Sequence, residues 1–448
     1  MRVRHIVAAF TPIAAASAFA VLPMSTAAVA TAQHTASRAW HMSPAVSSPH
    51  AFKFLGKAPS DPSAGIMFSC QEPGAALNCY TPQELATAYD IPTSLNGAGQ
   101  SIAIVDAFGD PTVTDDLNVE DTVFGLPAAN LNIYYPEGQP VFDPTNADEV
   151  DWSGEIALDV ESAHAIAPDA TINLIISKSD ADADILGAEQ YAVNNNLGEV
   201  LSQSYGEAES CEDPSIRNAD HLLYGQAALK GISVFASSGD DGAAQPSCDG
   251  TTFIKSTSLP ASDPFVTSVG ATSLTATQPN GQYVSETAWN DEFGASGGGF
   301  SQLFSRPLYQ ILDHASSPGR GVPDVSYSGD VNNGLLISWS QGVAANVGDI
   351  FLFGGTSAGS PQWAAITALA DQAGHHRLGF LNPLLYAVAA TPLYGYVFHD
   401  VTTGNNSIST EDVNGNPVNI TGYSAGKGWD PVTGLGTPDV AHLIKVIG

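Results

Sequence analysis

Short apolar runs at Ser101–Ala107, Ala170–Ser177, Val200–Ser204, Ile232–Ala236 and Phe265–Val269 recur along the middle of the chain, and helical stretches at Val150–Ala167, Ala181–Asn194 and Ile216–Lys230 lie between several of them. Runs this short suit strands buried on both faces, and the stretches between them carry a helix period. A buried strand followed by a helix must cross over and return parallel. The pattern therefore predicts an α/β fold, a mainly parallel, doubly wound sheet with helices on both faces. Such sheets place their sites at the carboxyl ends of the strands. Residues 276–350 and 390–430 are richer in Gly, Asn, Ser and Thr and read as long loops or insertions. No internal repeat is visible. At 448 residues the chain allows up to three domains, or one large α/β domain with extensions.

The chain opens with Arg2, Arg4 and His5, continues through an apolar run from Ile6 to Leu22 broken by Thr11 and Pro12, and reaches the small-residue ending Ala30-Thr31-Ala32. That order predicts a secretory signal peptide over residues 1–32, cut after Ala32. The run is too short and too interrupted for a membrane anchor. The mature protein is expected outside the cell, free of the membrane. Residues 33–79, with their early Ala, Ser, Pro and His, read as a leader or short propeptide, and residues 80–448 as the folded domain. Cys70, Cys79, Cys211 and Cys248 form an even set in an exported chain, so disulfides are expected. Three pairings exist; proximity favours Cys70–Cys79 with Cys211–Cys248. Against 46 Asp and Glu stand 14 Lys and Arg, a net charge of −32. No Lys or Arg falls between Ala58 and Ser177. Such a surface repels phosphate, which excludes nucleic-acid and anionic-membrane partners, and it suits an acidic medium.

Two segments carry chemistry. In Trp152-Ser-Gly-Glu155-Ile-Ala-Leu-Asp159, a helix turning about 100° per residue puts Asp159 about 40° from Glu155, inside a stripe that holds Trp152, Ile156, Ala163 and Ile166. Two neighbouring carboxyls in a poorly solvated place do not both ionise easily, so one is expected to hold a proton, as general acid–base sites require. The second segment is Gly354-Gly-Thr-Ser357-Ala-Gly-Ser-Pro361, running into an Ala-rich helix. A serine at a glycine-flanked helix start has an accessible hydroxyl and a free N–H, with the positive end of the helix dipole beneath any oxyanion.

Together these segments resemble the sedolisin family of serine-carboxyl peptidases, relatives of the subtilisins. Further matches occur in order at Tyr80-Thr-Pro-Gln-Glu-Leu85, Ile104-Val-Asp106-Ala-Phe-Gly109, Ser204-Tyr-Gly206, Ser238-Gly-Asp240-Asp-Gly242, Pro260-Ala-Ser-Asp-Pro264, Gly297-Gly-Gly-Phe-Ser301 and Val322-Pro-Asp-Val325. The resemblance covers about residues 80 to 448 and implies a subtilisin-like fold. It implies Ser357 as nucleophile, Glu155 as its base, Asp159 orienting Glu155, and Asp240 as a protonated donor to the oxyanion. Ser204 and Gly206 would line the substrate with their backbones. It also implies one Ca2+ in C-terminal loops, held by Asp400, Asp430 and the carbonyls of Val401, Gly426 and Gly428. The activity implied is acid endopeptidase cleavage of proteins or peptides by a monomer.

The chain departs from the family pattern twice. The stretch from 33 to about 79 is too short for the family's long folded prodomain, and Tyr205 stands where a tryptophan is usual. One rival reading is a neutral subtilisin triad of Asp106, His164 and Ser357, although His164 lies about 180° from Glu155 on the wheel. The other is an inactive secreted binding protein on a peptidase fold.

Overall fold

In the computed structural model, which describes residues 42–44, 52–59, 68–313, 317–342 and 346–448, the strand Ser101–Ala107 is the pivot of the topology. It lies parallel between Thr171–Ser177 and Val200–Gln203. Asn130–Tyr134 extends the sheet on one side, and Ser233–Ser237, Thr267–Thr277 and Val325–Ser328 extend it on the other, all parallel. Gln282–Ala288 is the antiparallel strand that completes eight. The chain thus builds one side of Ser101–Ala107 before crossing to the other, which makes this strand a topological switch point. The signal peptide expected over 1–32 lies outside the described residues, as does much of the stretch 33–79.

Alternation along the pivot strand separates two cores. Ile102 and Ile104 join Leu174, Ile156 and Trp363 in one; Ala103, Val105 and Ala107 join Ile185, Leu223 and Val234 in the other. Helices Ala147–Ile166 and Gly359–Gly374 cover the first face, and Asp182–Asn194 with Pro214–Leu229 cover the second. The doubly wound sheet expected from the strand and helix pattern is therefore present. The helix Ala147–Ile166 begins three residues earlier than its sequence period suggested, because the Asn146 side chain caps it by accepting from the Asp148 N–H. Between Trp152 and His164 every residue is buried, so this is a central helix without a solvent face.

The region 276–350 differs most from the loops expected there. Asn333–Ser338 and Asp349–Phe353 form the middle of a second, four-stranded sheet, with Asn78–Tyr80 on one edge and Phe52–Lys57 on the other. Packing decides it: Trp339 and Phe351 meet at 5.1 Å, and Phe52 stacks on Phe353 at 5.4 Å. Aromatic contact across strands outweighs the weak propensity of the glycines around them. Within 390–430, Ile408–Glu411 and Pro417–Ile420 pair as a hairpin. Cys70 pairs with Cys79 and Cys211 with Cys248.

The Val322-Pro-Asp-Val325 motif has a structural purpose. Asp324 receives the Arg320 guanidinium at 2.6 Å with both side chains fully buried, and also accepts the Ser268 N–H at 2.8 Å and the Tyr386 hydroxyl at 2.9 Å. Removing one partner of a buried ion pair strands the other charge in a dry interior. Asp324→Ala is expected to cost about 3–5 kcal/mol of stability, read from the denaturant midpoint; a loss below about 1 kcal/mol would show that the pair is not the tie described.

Candidate active site

The strand Asp349–Phe353 delivers the chain to Gly354 and Gly355, then to a single tight turn, Thr356–Ala358, which leads into the helix Gly359–Gly374. Gly355 takes φ 94°, and a Cβ there would lie 2.5 Å from Asp240 Oδ2. Only glycine both turns this corner and lets that carboxyl approach. Ser357 is fully buried, and its Oγ has no hydrogen-bond partner among the described residues. Asp240 follows the strand Ser233–Ser237. Its Oδ1 accepts the Thr356 N–H and the Thr356 hydroxyl, each at 2.8 Å, while Oδ2 accepts nothing among the described residues. Burial pushes the Asp240 carboxyl up to about 7, against the pull of the two Thr356 bonds. An acid so placed keeps its proton through most of the acid range and has a free oxygen to carry it.

The central helix packs against the Ser357 turn and brings the acid pair with it. Glu155 and Asp159 are both fully buried. Asp159 lies beside the Ser204 hydroxyl and the Glu155 carboxyl, and burial holds it well above the ordinary range while those two neighbours draw it down. The contacts are loose, outside strict hydrogen-bond geometry at either Asp159 oxygen. Asp106, at the carboxyl end of the pivot strand, is a third acid in the group. It is fully buried, and burial and Asp159 together hold it well above its usual pKa.

Ser204 joins the acids to the serine: its hydroxyl donates to the Ser357 carbonyl at 3.4 Å. The strand Tyr205–Ala208 continues from it. Gly206 is closely covered, since a Cβ there would meet the Ser258 Oγ at 2.1 Å and the Leu259 carbonyl at 2.5 Å. Four residues read from the sequence as catalytic, and Ser204 with them, are thus gathered where the pivot strand, the strand Val200–Gln203 and the serine turn come together.

The chain is 33% identical over 393 residues to kumamolisin from Bacillus sp. (strain MN-32), covering 85% of this chain and 66% of that protein. It is 30% identical over 385 residues to sedolisin from Pseudomonas sp. (strain 101), covering 82% and 61% respectively. The solved structure of Pseudomonas sedolisin, a serine-carboxyl proteinase complexed with two molecules of pseudo-iodotyrostatin, superposes with a TM-score of 0.71 at 29% identity, covering 83% of this chain and 98% of that one. The chain belongs to the sedolisin family. It spans 66% and 61% of the length of the two relatives named first. No protein-family model matches it.

The departure at Tyr205 is accommodated by a buried hydrogen-bond cluster. The Tyr205 hydroxyl donates to Glu189 Oε1 at 2.9 Å, and Tyr224 donates to the same oxygen at 3.1 Å; the Gln203 amide bonds it too. The tyrosine therefore anchors its strand to the helix Asp182–Asn194 instead of pointing at the acids. His164 does not complete a subtilisin-like triad: its Nε2 meets Asp121 Oδ1 at 2.8 Å and the Pro127 carbonyl at 3.0 Å. The sequence offers Asp106 to that rival or as a loop or helix-capping acid, and does not reveal its place beside Asp159. The signal for it was position, since it stands next to the last residue of the strand at which the sheet order reverses.

The five residues linked by family resemblance to calcium fall in one cluster of loops. Asp400 Oδ1 accepts the Gly428 N–H and the Tyr394 hydroxyl, each at 3.0 Å. Asp430 accepts the Gly426 N–H at 3.0 Å and the Val432 and Thr433 N–H groups at 2.9 Å each. The Val401 carbonyl accepts the Thr433 hydroxyl at 3.4 Å. Both bonds to Asp400 fall on one oxygen, so its second oxygen remains for a cation. The set offers hard oxygens, which suits Ca2+.

Buried acids extend beyond the site. Burial is the main cause that raises Asp240 to about 7, Glu212 to about 8, Glu207 to about 9 and Asp220 to about 10, and it raises Glu120, Glu161 and Glu189 well above the ordinary range. The folded protein therefore holds protons that the unfolded chain releases above about pH 4. Stability is then greatest below the ordinary carboxyl pKa and falls as pH rises through these raised values. The melting temperature is expected to drop steadily from pH 4 to pH 8; a melting temperature that climbs across that interval would contradict the assignment.

Proposed function

We propose that this chain is a secreted, acid-acting serine-carboxyl endopeptidase that hydrolyses peptide bonds in proteins or peptides. The observation that carries the reading is the fully buried pair Glu155 and Asp159 on a helix packed against the Ser357 turn. A buried carboxyl pair costs stability, and it serves a site that must pass a proton. Ser357 Oγ bonds to the scissile carbonyl carbon as its proton passes to Glu155. Asp159 orients Glu155 and shares the proton load through their contact. The carbonyl oxygen, now negative, accepts a hydrogen bond from the protonated Oδ2 of Asp240. Glu155 then gives its proton to the leaving amine, and water repeats the sequence on the acyl ester.

Acidity follows from Asp240. A carboxyl donates only while protonated, and this one loses its proton near pH 7. Export is supported by the signal-like residues 1–32 and by two disulfides. For Ca2+, the residues to hold it are Asp400, Asp430 and the carbonyls of Val401, Gly426 and Gly428. An ion there would tie together two loops otherwise joined by hydrogen bonds alone.

A pH–rate profile on an unfolded protein substrate tests the scheme. Ser357→Ala is expected to abolish cleavage, and Glu155→Ala to lower kcat by about 10²–10⁴-fold. Asp240→Asn replaces a pH-limited donor with an amide that donates at any pH, so partial activity reaching above pH 7 is expected. Complete loss at every pH in that variant would remove Asp240 from the oxyanion. Chelation should lower the melting temperature while changing kcat/KM little; the reverse would move the metal to the chemistry.

A further inference from the structure

The strand Phe52–Lys57 lies on the outer edge of the strand that leads to Ser357. It pairs antiparallel with Asp349–Phe353, Lys57 opposite Asp349 and Phe52 opposite Phe353, with a register shift between Ile350 and Phe351. The Ala58 N–H donates to the Gly348 carbonyl at 2.6 Å, and Lys57 Nζ lies 3.5 Å from the buried Asp349 carboxyl. The Lys53 amine donates to Asn332 Oδ1 at 3.0 Å and stands 4.3 Å from the centre of the Phe293 ring. Without this strand, Asp349–Phe353 would present a bare row of backbone groups at the edge of its sheet. The stretch 33–79, read from the sequence as a leader or short propeptide, thus contributes a strand to the folded domain.

Phe52 makes two contacts that lead toward the candidate catalytic groups. Residues directly opposite in an antiparallel pair share a face, and the Phe52 ring stacks on Phe353 at 5.4 Å, two glycines before the turn Thr356–Ala358. It also meets the Trp339 ring edge-on at 5.0 Å. Trp339 is seated on the central helix: its indole N–H donates to the Ser153 hydroxyl at 3.0 Å, and a Cβ added to Gly154 would lie 3.3 Å from the ring. Gly154 is the residue before Glu155. The indole therefore rests on bare helix backbone next to the acid pair, and Phe52 joins that indole to the strand leading to Ser357. In a close-packed interior, a missing ring leaves a void into which its neighbours shift.

We propose that Phe52 is a positioning residue for the peptidase site, holding the Ser357 turn and the Glu155 helix in place through Phe353 and Trp339, and that the strand Phe52–Lys57 is part of the active enzyme. The proposal rests on the peptidase reading and deepens it. Phe52 acts through other residues: it sets the separation of the nucleophile's turn from the base's helix, which proton transfer requires to stay within hydrogen-bond reach. A displacement of about 1 Å at such a site costs about 10²-fold in rate. A cut after Lys57 would remove the ring, so the active chain begins at or before Phe52.

N-terminal sequencing of the chain purified in its active form is expected to find a first residue at or before Phe52; full activity in a chain from which Phe52–Lys57 is gone would overturn the proposal. In Phe52→Ala, kcat on an unfolded protein substrate at acid pH is expected to fall about tenfold or more while KM stays within about twofold. Phe52→Tyr keeps the ring and should restore kcat, and Lys57→Ala, on the same strand without these contacts, should leave it unchanged. A lower melting temperature in Phe52→Ala with kcat intact would make the ring structural only and overturn the proposal. Should Phe52→Ala fail to fold, Phe52→Leu is read against the same outcomes. If the wild type cleaves no substrate, the peptidase reading fails by itself, and the positioning is then judged by hydrogen exchange. Faster exchange of residues 353–358 and 153–160 in Phe52→Ala, with the helix Asp182–Asn194 unchanged, upholds it; any other pattern overturns it.

Discussion

Carboxyl groups buried with almost no cation to meet them are the constraint on which the rest of this structure depends. Asp106, Asp159, Asp240, Glu189, Glu207, Glu212 and Asp220 are all buried, while Arg320 is the buried member of the Lys and Arg set among the described residues and is committed to Asp324. An unpaired carboxyl in a dry place avoids its charge by keeping a proton. The same physics therefore serves two ends. It favours the neutral carboxyls of Asp240 and Asp159 near the Ser357 turn, and it favours the folded state in an acidic medium. The charge imbalance of the sequence is the outward sign of this interior.

The architecture concentrates these acids by bringing different layers to one place. The pivot strand carries Asp106 next to its last residue, its neighbour Val200–Gln203 leads into Ser204, and Ser233–Ser237 leads toward Asp240. The central helix supplies Glu155 and Asp159 from above the sheet, and the second sheet feeds in Ser357 through two glycines. Tyr205 shows how one substitution is absorbed. Its hydroxyl reaches Glu189 with Tyr224 and Gln203, so a buried carboxyl receives three donors and the strand Tyr205–Ala208 is pinned to two helices.

Much of the fold could be read from pattern. Ser101–Ala107 has the bounds that its apolar run predicted, and the helices beyond it begin within a few residues of their expected starts. The second sheet could not be read that way. Its strands sit among Gly, Asn and Ser, and they are strands because Trp339, Phe351, Phe353 and Phe52 pack there. The wheel argument placed Glu155 and Asp159 out of solvent by an incomplete route: it supposed an apolar stripe with a polar side, whereas this helix is buried all round from Trp152 to His164. Asp106 was missed because no local pattern distinguishes an acid near the end of a strand at a switch point from one that caps a loop.

What the sequence determined by itself was the class of fold and the family, with an expectation for the chemistry and the acidic setting, because periodicity, glycine-flanked motifs and charge balance are local or additive properties that do not need coordinates. Only the tertiary structure decided which acids share a dry space, that His164 belongs to Asp121, and that Phe52 packs against both Phe353 and Trp339. Those outcomes depend on contacts between residues far apart in the chain, and desolvation, which sets whether a carboxyl keeps its proton, exists only once the layers have closed around it.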